Sequence, residues 1–292
     1  MAFYDKKKMN KNTTFRLAVN VVSRSVFLLA TLLALVILLV LFARIITQGI
    51  GYIDWDFFTS FASRHPEEAG IKAAIMGTIW LMAITAPVSI ILGVGTAIYL
   101  EQYAKKNKFT DLIKINISNL AGVPSIVFGL LGLTVFVRVM EMGRSLLAGG
   151  LTMSLLILPI IVVAAQEALR SVPNDTQEAS YALGASKWQT VRRILLPAAI
   201  PGIMTGSILA LSRAIGETAP LLVIGALTFV AFTPDSIWSG FTVMPIQIFN
   251  WTSRPQAEFQ DVAAAAIIVL LVMLIVMNLI AVLIRNKMNK RY

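Results

Sequence analysis

Two charged residues sit inside an apolar stretch. The run Ser212-Arg213-Ala214-Ile215-Gly216-Glu217-Thr218-Ala219-Pro220 places Arg213 12 residues beyond Pro201, in a segment otherwise rich in Ile, Leu and Ala. On a helix that is ~18 Å along the axis, close to the middle of a bilayer. An Arg there costs ~2.5–3.5 kcal/mol on insertion scales. Glu217 follows one turn later, so a continuous helix would present both charges on one face. Two readings follow. The pair neutralises itself and braces a neighbouring helix, or it faces a polar pathway, as membrane-buried charges commonly do. In the second reading Arg213 offers a planar fork of donors to an oxyanion. Glu217 would hold that fork when the site is empty and accept a hydrogen bond from a protonated anion. Phosphate at neutral pH still carries such an OH, whereas sulfate does not. Thr218 joins the same candidate pathway.

A second stretch could line that pathway. Asn116, Ser118 and Asn119 precede Ala121-Gly122-Val123-Pro124-Ser125-Ile126-Val127-Phe128-Gly129-Leu130. Pro124 removes a backbone donor and frees a carbonyl, which membrane helices tolerate where neighbours or cavity water satisfy it. The stretch is either a packing kink with Gly122 and Gly129 as contact points, or a hydroxyl-bearing wall with Ser125 as donor.

The elements that must position these residues are membrane helices. Of 292 residues 57% are hydrophobic, and the mean hydropathy is +0.78, beyond the range of soluble domains. Apolar runs at 25–46, 71–100, 112–140, 147–169, 202–227 and 262–284 are each long enough to span. The first is too long for a signal peptide and lacks a small-x-small cleavage site. Pro87 and Pro159 lie within spans two and four, and Gly93 and Gly95 in span two read as close-packing positions. The loop at 47–70 carries Tyr52 and Trp55, which suit an interface, and the polar and aromatic loop at 228–260 carries Trp238 and Trp251. Six spans put both termini on one side. Six basic residues at the N-terminus and four in each of 102–114, 170–193 and the tail place 18 of 25 on that side, so the rule of basic cytoplasmic loops makes it the cytoplasm. The net charge of +10 is thereby a matter of topology and not of nucleic acid. With no cysteine and only His65, disulfides, thiolate chemistry and a histidine metal centre are excluded.

One cytoplasmic loop is unusual. Glu178 to Pro197 reads EASYALGASKWQTVRRILLP. Ala179, Ala182 and Leu183 form a helical stripe, Gly184 is a helix stop, and Trp188, Val191, Ile194 and Leu195 form a second stripe among Lys187, Arg192 and Arg193. Pro197 and Pro201 mark the return to the membrane. The loop either lies on the headgroups or forms a knob whose apolar side needs a soluble partner. Its spacing resembles the EAA loop of ABC-importer permeases: Glu178-Ala179, Gly184 six positions after the Glu, then Ile194, Leu196 and Pro197, with Ser180 where that family has Ala. The resemblance implies a coupling helix seated in a groove of an ATP-hydrolysing subunit. Trp188 would plug that groove, or anchor at the headgroups.

The AGVPSIVFGL and RAIGETAPLL runs resemble phosphate-specific ABC permeases, and GETAP the PstA type. Met244-Pro245-Ile246-Gln247-Ile248-Phe249 and the alanines Ala263 to Ala266 resemble the same type, over roughly residues 70 to 285. The resemblance implies an all-α polytopic membrane protein with six transmembrane helices in the type I ABC importer (MetI-like) permease fold. Residues 1–24 would be a basic cytoplasmic N-terminus and 25–46 an added first span. Residues 71–285 would form the permease domain with its coupling loop at 172–200, and 286–292 a cytoplasmic tail. It further implies a bacterial or archaeal cell membrane, a homologous PstC-type permease and two copies of an ATP-binding subunit. A phosphate-binding protein would dock outside on the loops at 47–70 and 228–260. The chain has no Gly-rich Lys-Ser/Thr phosphate loop, so ATP and Mg would belong to the partners, and the chain itself would be neither an enzyme nor a cofactor holder. Molybdate or sulfate is the alternative cargo. An ion-gradient-driven transporter would show inverted repeats and broken helices in matched positions, which are not evident in the sequence, and a scaffold would not need Arg213 and Glu217.

Overall fold

A computed structural model describes residues 6–226 and 229–288. All regular structure among them is helical. In chain order the helices are α1 (Lys6–Gly49), α2 (Trp55–Thr59), α3 (Lys72–Ile98), α4 (Lys108–Leu120), α5 (Ser125–Gly132), α6 (Leu146–Arg170), α7 (Asn174–Ala182), α8 (Lys187–Thr190), α9 (Leu196–Gly216), α10 (Ala219–Ile224), α11 (Met244–Thr252) and α12 (Glu258–Met288). Wider, π-helical turns extend α3 over Tyr99–Tyr103 and α5 over Leu133–Val139, and join α8 to α9 over Val191–Leu195.

Five helical stretches are long and apolar enough to cross a membrane: Phe15–Tyr52, Lys72–Tyr103, Leu146–Arg170, Lys187–Gly216 and Glu258–Lys287. A sixth is the pair Lys108–Leu120 and Ser125–Val139, bent by 103°. The expected six spans are present if that pair counts as one. The bend falls at Pro124, which caps α5 and cannot donate into a preceding turn. Helix α1 begins at Lys6, so much of the basic N-terminal segment is helical. The side chains of Lys6, Lys7, Lys8 and Lys11 lie outside the described residues.

Helix α6 is the centre of the bundle, buried against α3 on one side and α9 on the other. Small residues allow the close approach, as membrane helix pairs require. Gly202 and Gly206 on α9 face the methyls of Ala168 and Ala164 on α6, both pairs four residues apart. Gly93 packs on Ile161 as expected, whereas Gly95 has open space. One core joins α3, α6, α9 and α10 around Leu81, Met153, Ile157 and Phe241. A second, at the loop end, gathers Phe57, Ile71, Met244, Trp251 and Phe259. Helix α1 packs only along α12 and leaves most of its surface outside the bundle.

Three expectations need correction. The fifth span is not a helix over 202–227. The helix runs from Lys187 to Gly216 and stops, and α10 restarts at Ala219 with Pro220 in its first turn. Pro220 lacks the N–H that would bond the carbonyl of Gly216, so the break is written into GETAP; Leu227 lies outside the described residues. Among the described residues the helices thus break twice, at Pro124, where the sequence places a kink, and before Pro220. The basic loop at 102–114 is helical from Lys108, where Asn107 accepts from the Thr110 N–H at 2.8 Å. The polar and aromatic loop at 228–260 contains the buried helix α11, and its Trp251 is a core residue whose ring centroid lies 6.2 Å from that of Phe57.

Candidate functional site

The break at the end of α9 defines the first site. Arg213 lies in the last turn of α9, where the helix dipole favours a cation. Glu217 follows in extended conformation. The two are joined even though they do not share one helix: Arg213 Nε donates to Glu217 Oε1 at 3.1 Å. The Arg213 side chain is 48% exposed and that of Glu217 17%. The pair thus opens to one side of the bundle, and among the described residues the other two guanidinium nitrogens of Arg213 make no hydrogen bond. Next door, Ser212 Oγ lies 2.6 Å from the Asn278 side chain and donates at 2.8 Å to the Ile208 carbonyl. Two turns away on the same helix pair Arg285 donates to Thr205 Oγ1 at 3.1 Å. These bonds fix α9 against α12 and so fix the backbone that carries Arg213.

The second stretch meets the first. Helix α5 packs along α10, and Gly129 lies so close to the backbone of Pro220 that a Cβ there would come within 2.7 Å of Pro220 Cα. The two helix breaks therefore adjoin. Pro124 is exposed at the start of α5, Ser125 is half-buried beside it, and Thr218 is half-buried at the start of α10. Among the described residues no hydrogen bond or ion pair joins Pro124, Ser125 or Thr218 to the Arg213–Glu217 pair. Backbone that leaves the helix at membrane depth is tolerated where it is covered by protein or lines a cavity, and these two breaks carry the hydroxyls of Ser125 and Thr218 as polar candidates for such a lining.

The third feature is the knob at 174–197. Pro173 precedes α7, and Gly184 ends it at φ +78°, a conformation that favours glycine. The Gly184 N–H donates to the Tyr181 carbonyl at 2.9 Å and the Ala185 N–H to the Ser180 carbonyl at 3.2 Å, a helix stop with satisfied carbonyls. Ser186 and Gln189 then close a capping box over α8. Ser180 is buried and bonds Thr190 Oγ1 at 2.9 Å, and Thr190 in turn donates to the Ser186 carbonyl at 3.2 Å. The hydroxyl pair fastens α7 to α8. Val191 and Leu195 anchor the second stripe in the core between α6 and α9. Ile194, Leu196 and Pro197 are half-buried along the same return.

The outward side of the knob is apolar. Leu183 is 89% and Trp188 57% exposed, and Glu178, Ala179 and Tyr181 are exposed with them. The stripe of Ala179, Ala182 and Leu183 therefore faces away from the bundle. The stretch Lys187–Gly216 has 30 residues, about 45 Å at helical rise, against a ~30 Å hydrocarbon core. About a third of it must project, and the knob stands on that projection.

Sequence reasoning missed Ser180, Thr190 and Glu101. Ser180 departs from the EAA pattern, and its partner lies ten residues away across a turn. Glu101 ends α3 in a cluster of cations described below. The one available signal was a lone carboxylate at the end of a span facing basic loops. The capping box at 186–189 was legible as Ser-x-x-Gln.

Three comparisons bear on these sites. The family model described as "Binding-protein-dependent transport system inner membrane component" matches residues 89–292. The probable ABC transporter permease protein YqgI of Bacillus subtilis is 36% identical over 94% of this chain and 95% of its own length. The phosphate transport system permease protein PstA 1 of Mycobacterium tuberculosis is 35% identical over 77% of this chain and 74% of its own. PstA of Yersinia pestis is 33% identical over 81% and 79%. Among solved structures, the bacterial ABC transporter involved in alginate import covers 94% of this chain and 100% of its own at TM-score 0.64 and 17% identity. The MetNI methionine ABC transporter, in an inward-facing conformation, covers 75% and 98% at TM-score 0.62 and 18% identity. The fold is that of the type I, MetI-like ABC importer permeases.

Proposed function

We propose a phosphate importer as the machine of this chain, which belongs to the family of binding-protein-dependent transport system inner membrane components. The chain is the membrane permease subunit of an ABC importer, and such subunits are not themselves enzymes. Phosphate is the cargo we assign. The observation that carries it is the junction of α5 and α10: the two runs that resemble phosphate-specific permeases pack on each other through Gly129 and Pro220, next to a guanidinium with free donors. Relatives bearing the name PstA support the same cargo.

In this proposal Arg213 offers its free nitrogens to the phosphate oxygens. Glu217 releases part of its hold on Arg213 and accepts the hydrogen bond of the phosphate OH. Ser125 and Thr218 supply neutral hydroxyls, and Pro124 sets the bend that exposes them. The knob is the coupling element, residues 172–200. Glu178, Ala179, Leu183 and Trp188 seat in a groove of an ATP-binding subunit, and Gly184 gives the turn. Ile194, Leu196 and Pro197 carry the movement into α9. Two copies of that subunit bind ATP and Mg, a homologous PstC-type permease completes the pathway, and a phosphate-binding protein docks on the side opposite the knob. The alginate transporter has been solved with a sugar-bound periplasmic protein, an assembly of the kind proposed. Both termini are cytoplasmic on the charge asymmetry of the loops. Residues 25–46 add a span to a permease domain at 71–285.

The test is phosphate uptake by proteoliposomes holding the complete complex with Arg213→Ala. Loss of two charge-assisted hydrogen bonds, about 1.5–3 kcal/mol each, predicts uptake falling by at least about 100-fold with the complex still assembled. Wild-type phosphate kinetics would leave the pair a brace between helices.

A further inference from the structure

Among the described residues, the side-chain hydrogen bond and the cation–π contact that join the knob to spans two to four both run through one π-helical turn, Glu101-Gln102-Tyr103, at the end of the second span. Glu101 is 12% exposed. Its carboxylate receives Lys114 of α4 at 2.9 Å, Gln166 of α6 at 2.8 Å, and Arg170 of α6 through both Nη2 at 2.8 Å and Nε at 3.1 Å. Arg170 also holds Glu167 at 3.0 Å. A single carboxylate thus ties three spans together at one end of the bundle. The next residue, Gln102, accepts from Gln177 Nε2 of α7 at 3.0 Å, and Gln177 also reaches the Tyr181 hydroxyl at 3.2 Å. The residue after that, Tyr103, lies under the Lys187 ammonium of α8, 5.2 Å from the ring centroid.

We propose that Glu101-Gln102-Tyr103 is the relay that passes movement of the knob to the spans. The proposal rests on the reading of the knob as the coupling element. Val191 and Leu195 root the knob in the core with Ala97 and Leu100, but α7 buries only Ser180 and α8 only Thr190, so the polar ties add the direct hold of these two helices on the second span. Gln102 grips α7 and Tyr103 grips α8, so both helices of the knob are held by adjacent residues. Glu101 holds α4 and α6 from the same turn, so a displacement of the knob displaces the ends of three spans together. A buried carboxylate with four donors resists being pulled apart, since freeing it would leave a charge unpaired. A π-helical turn is also a place where a helix can change register, and such turns are frequent at functional sites. These residues position the coupling element and touch no cargo.

The chain has no cysteine, which permits a direct test in the full reconstituted complex. Gln102→Cys with Gln177→Cys removes the hydrogen bond between the turn and α7, and a short bis-maleimide bridge replaces it covalently. Phosphate moved per ATP hydrolysed should fall at least about 5-fold in the unbridged double variant and recover on bridging, because a hydrogen bond of ~1 kcal/mol is worth about that factor. Tyr103→Leu should behave as the unbridged variant, and Tyr103→Phe, which keeps the ring under Lys187, as wild type. A normal ratio in the unbridged variant and in Tyr103→Leu would overturn the relay. So would loss of transport on bridging, since the knob would then have to slide past the turn. Gly184→Val serves as the separate control: if it too leaves the ratio normal, the coupling assignment of the knob fails, whereas if it uncouples while the others do not, only the relay fails.

Discussion

At the scale of residues, the chain spends its polar atoms on junctions. Arg213 is held by one nitrogen and leaves the rest of its fork open, which is the arrangement an anion-binding Arg needs between turnovers. Arg213→Lys keeps the charge but not the fork, so uptake should fall nearly as far as in Arg213→Ala, with a raised KM for phosphate as the signature. The Ser180–Thr190 pair makes a sharper prediction because it is asymmetric. Thr190 has a second partner in the Ser186 carbonyl, and Ser180 has none. Thr190→Val strands the Ser180 hydroxyl in a buried place and should destabilise the knob by about 1–3 kcal/mol. Ser180→Ala removes the hydroxyl itself and should cost well under that. Hydrogen exchange of the amides in 174–195 reads the difference directly. Equal protection in both variants would show that the hydroxyl pair does not hold the two helices.

At the scale of elements, the two helix breaks organise the membrane part and the glycine turn organises the knob. Gly184 stands at φ +78° with open space around it, so Gly184→Val meets no neighbour and is strained through its backbone alone. That strain is on the order of 1–3 kcal/mol, enough to re-angle α7 against α8 while the bundle stays intact. ATPase activity without matching transport is the expected outcome, measured as phosphate moved per ATP. Gly206→Leu acts on another element: its side chain would drive into Ala164 of α6, and loss of assembled complex on a sizing column is expected.

Much of this was legible in the amino acids, for reasons that can be named. Long apolar runs located spans two, three, four and six within a few residues, because length and hydropathy are the main signal for a membrane helix, whereas the first and fifth helices run well beyond their apolar cores. The site residues Arg213, Glu217 and Gly184 were legible because a charge in an apolar run and a glycine between two stripes are both rare. What escaped were matters of tertiary contact. Trp251 lies in a loop that reads as polar and aromatic, yet it is buried against Phe57, nearly two hundred positions away. The helix break after Gly216 was hidden by the apolar residues that follow it. Glu101 looked like an ordinary loop charge until Lys114, Gln166 and Arg170 came together around it.

At the scale of the whole molecule, a projecting apolar knob stands at one end of α9 and an open guanidinium at the other. One helix therefore carries both the surface offered to a soluble subunit and the residue offered to an anion. That continuity is the central claim, that docking at the knob and anion binding at the break belong to one cycle. The most direct measurement is ATPase activity of the reconstituted complex as the extracytoplasmic binding protein is added loaded with phosphate, molybdate or sulfate in turn. The account predicts stimulation by the phosphate-loaded protein, with neither of the other anions substituting, and loss of that stimulation in Gly184→Val. Stimulation by a different anion would contradict the cargo, and failure of any ATP-binding subunit to associate with the chain would contradict the coupling role of the knob.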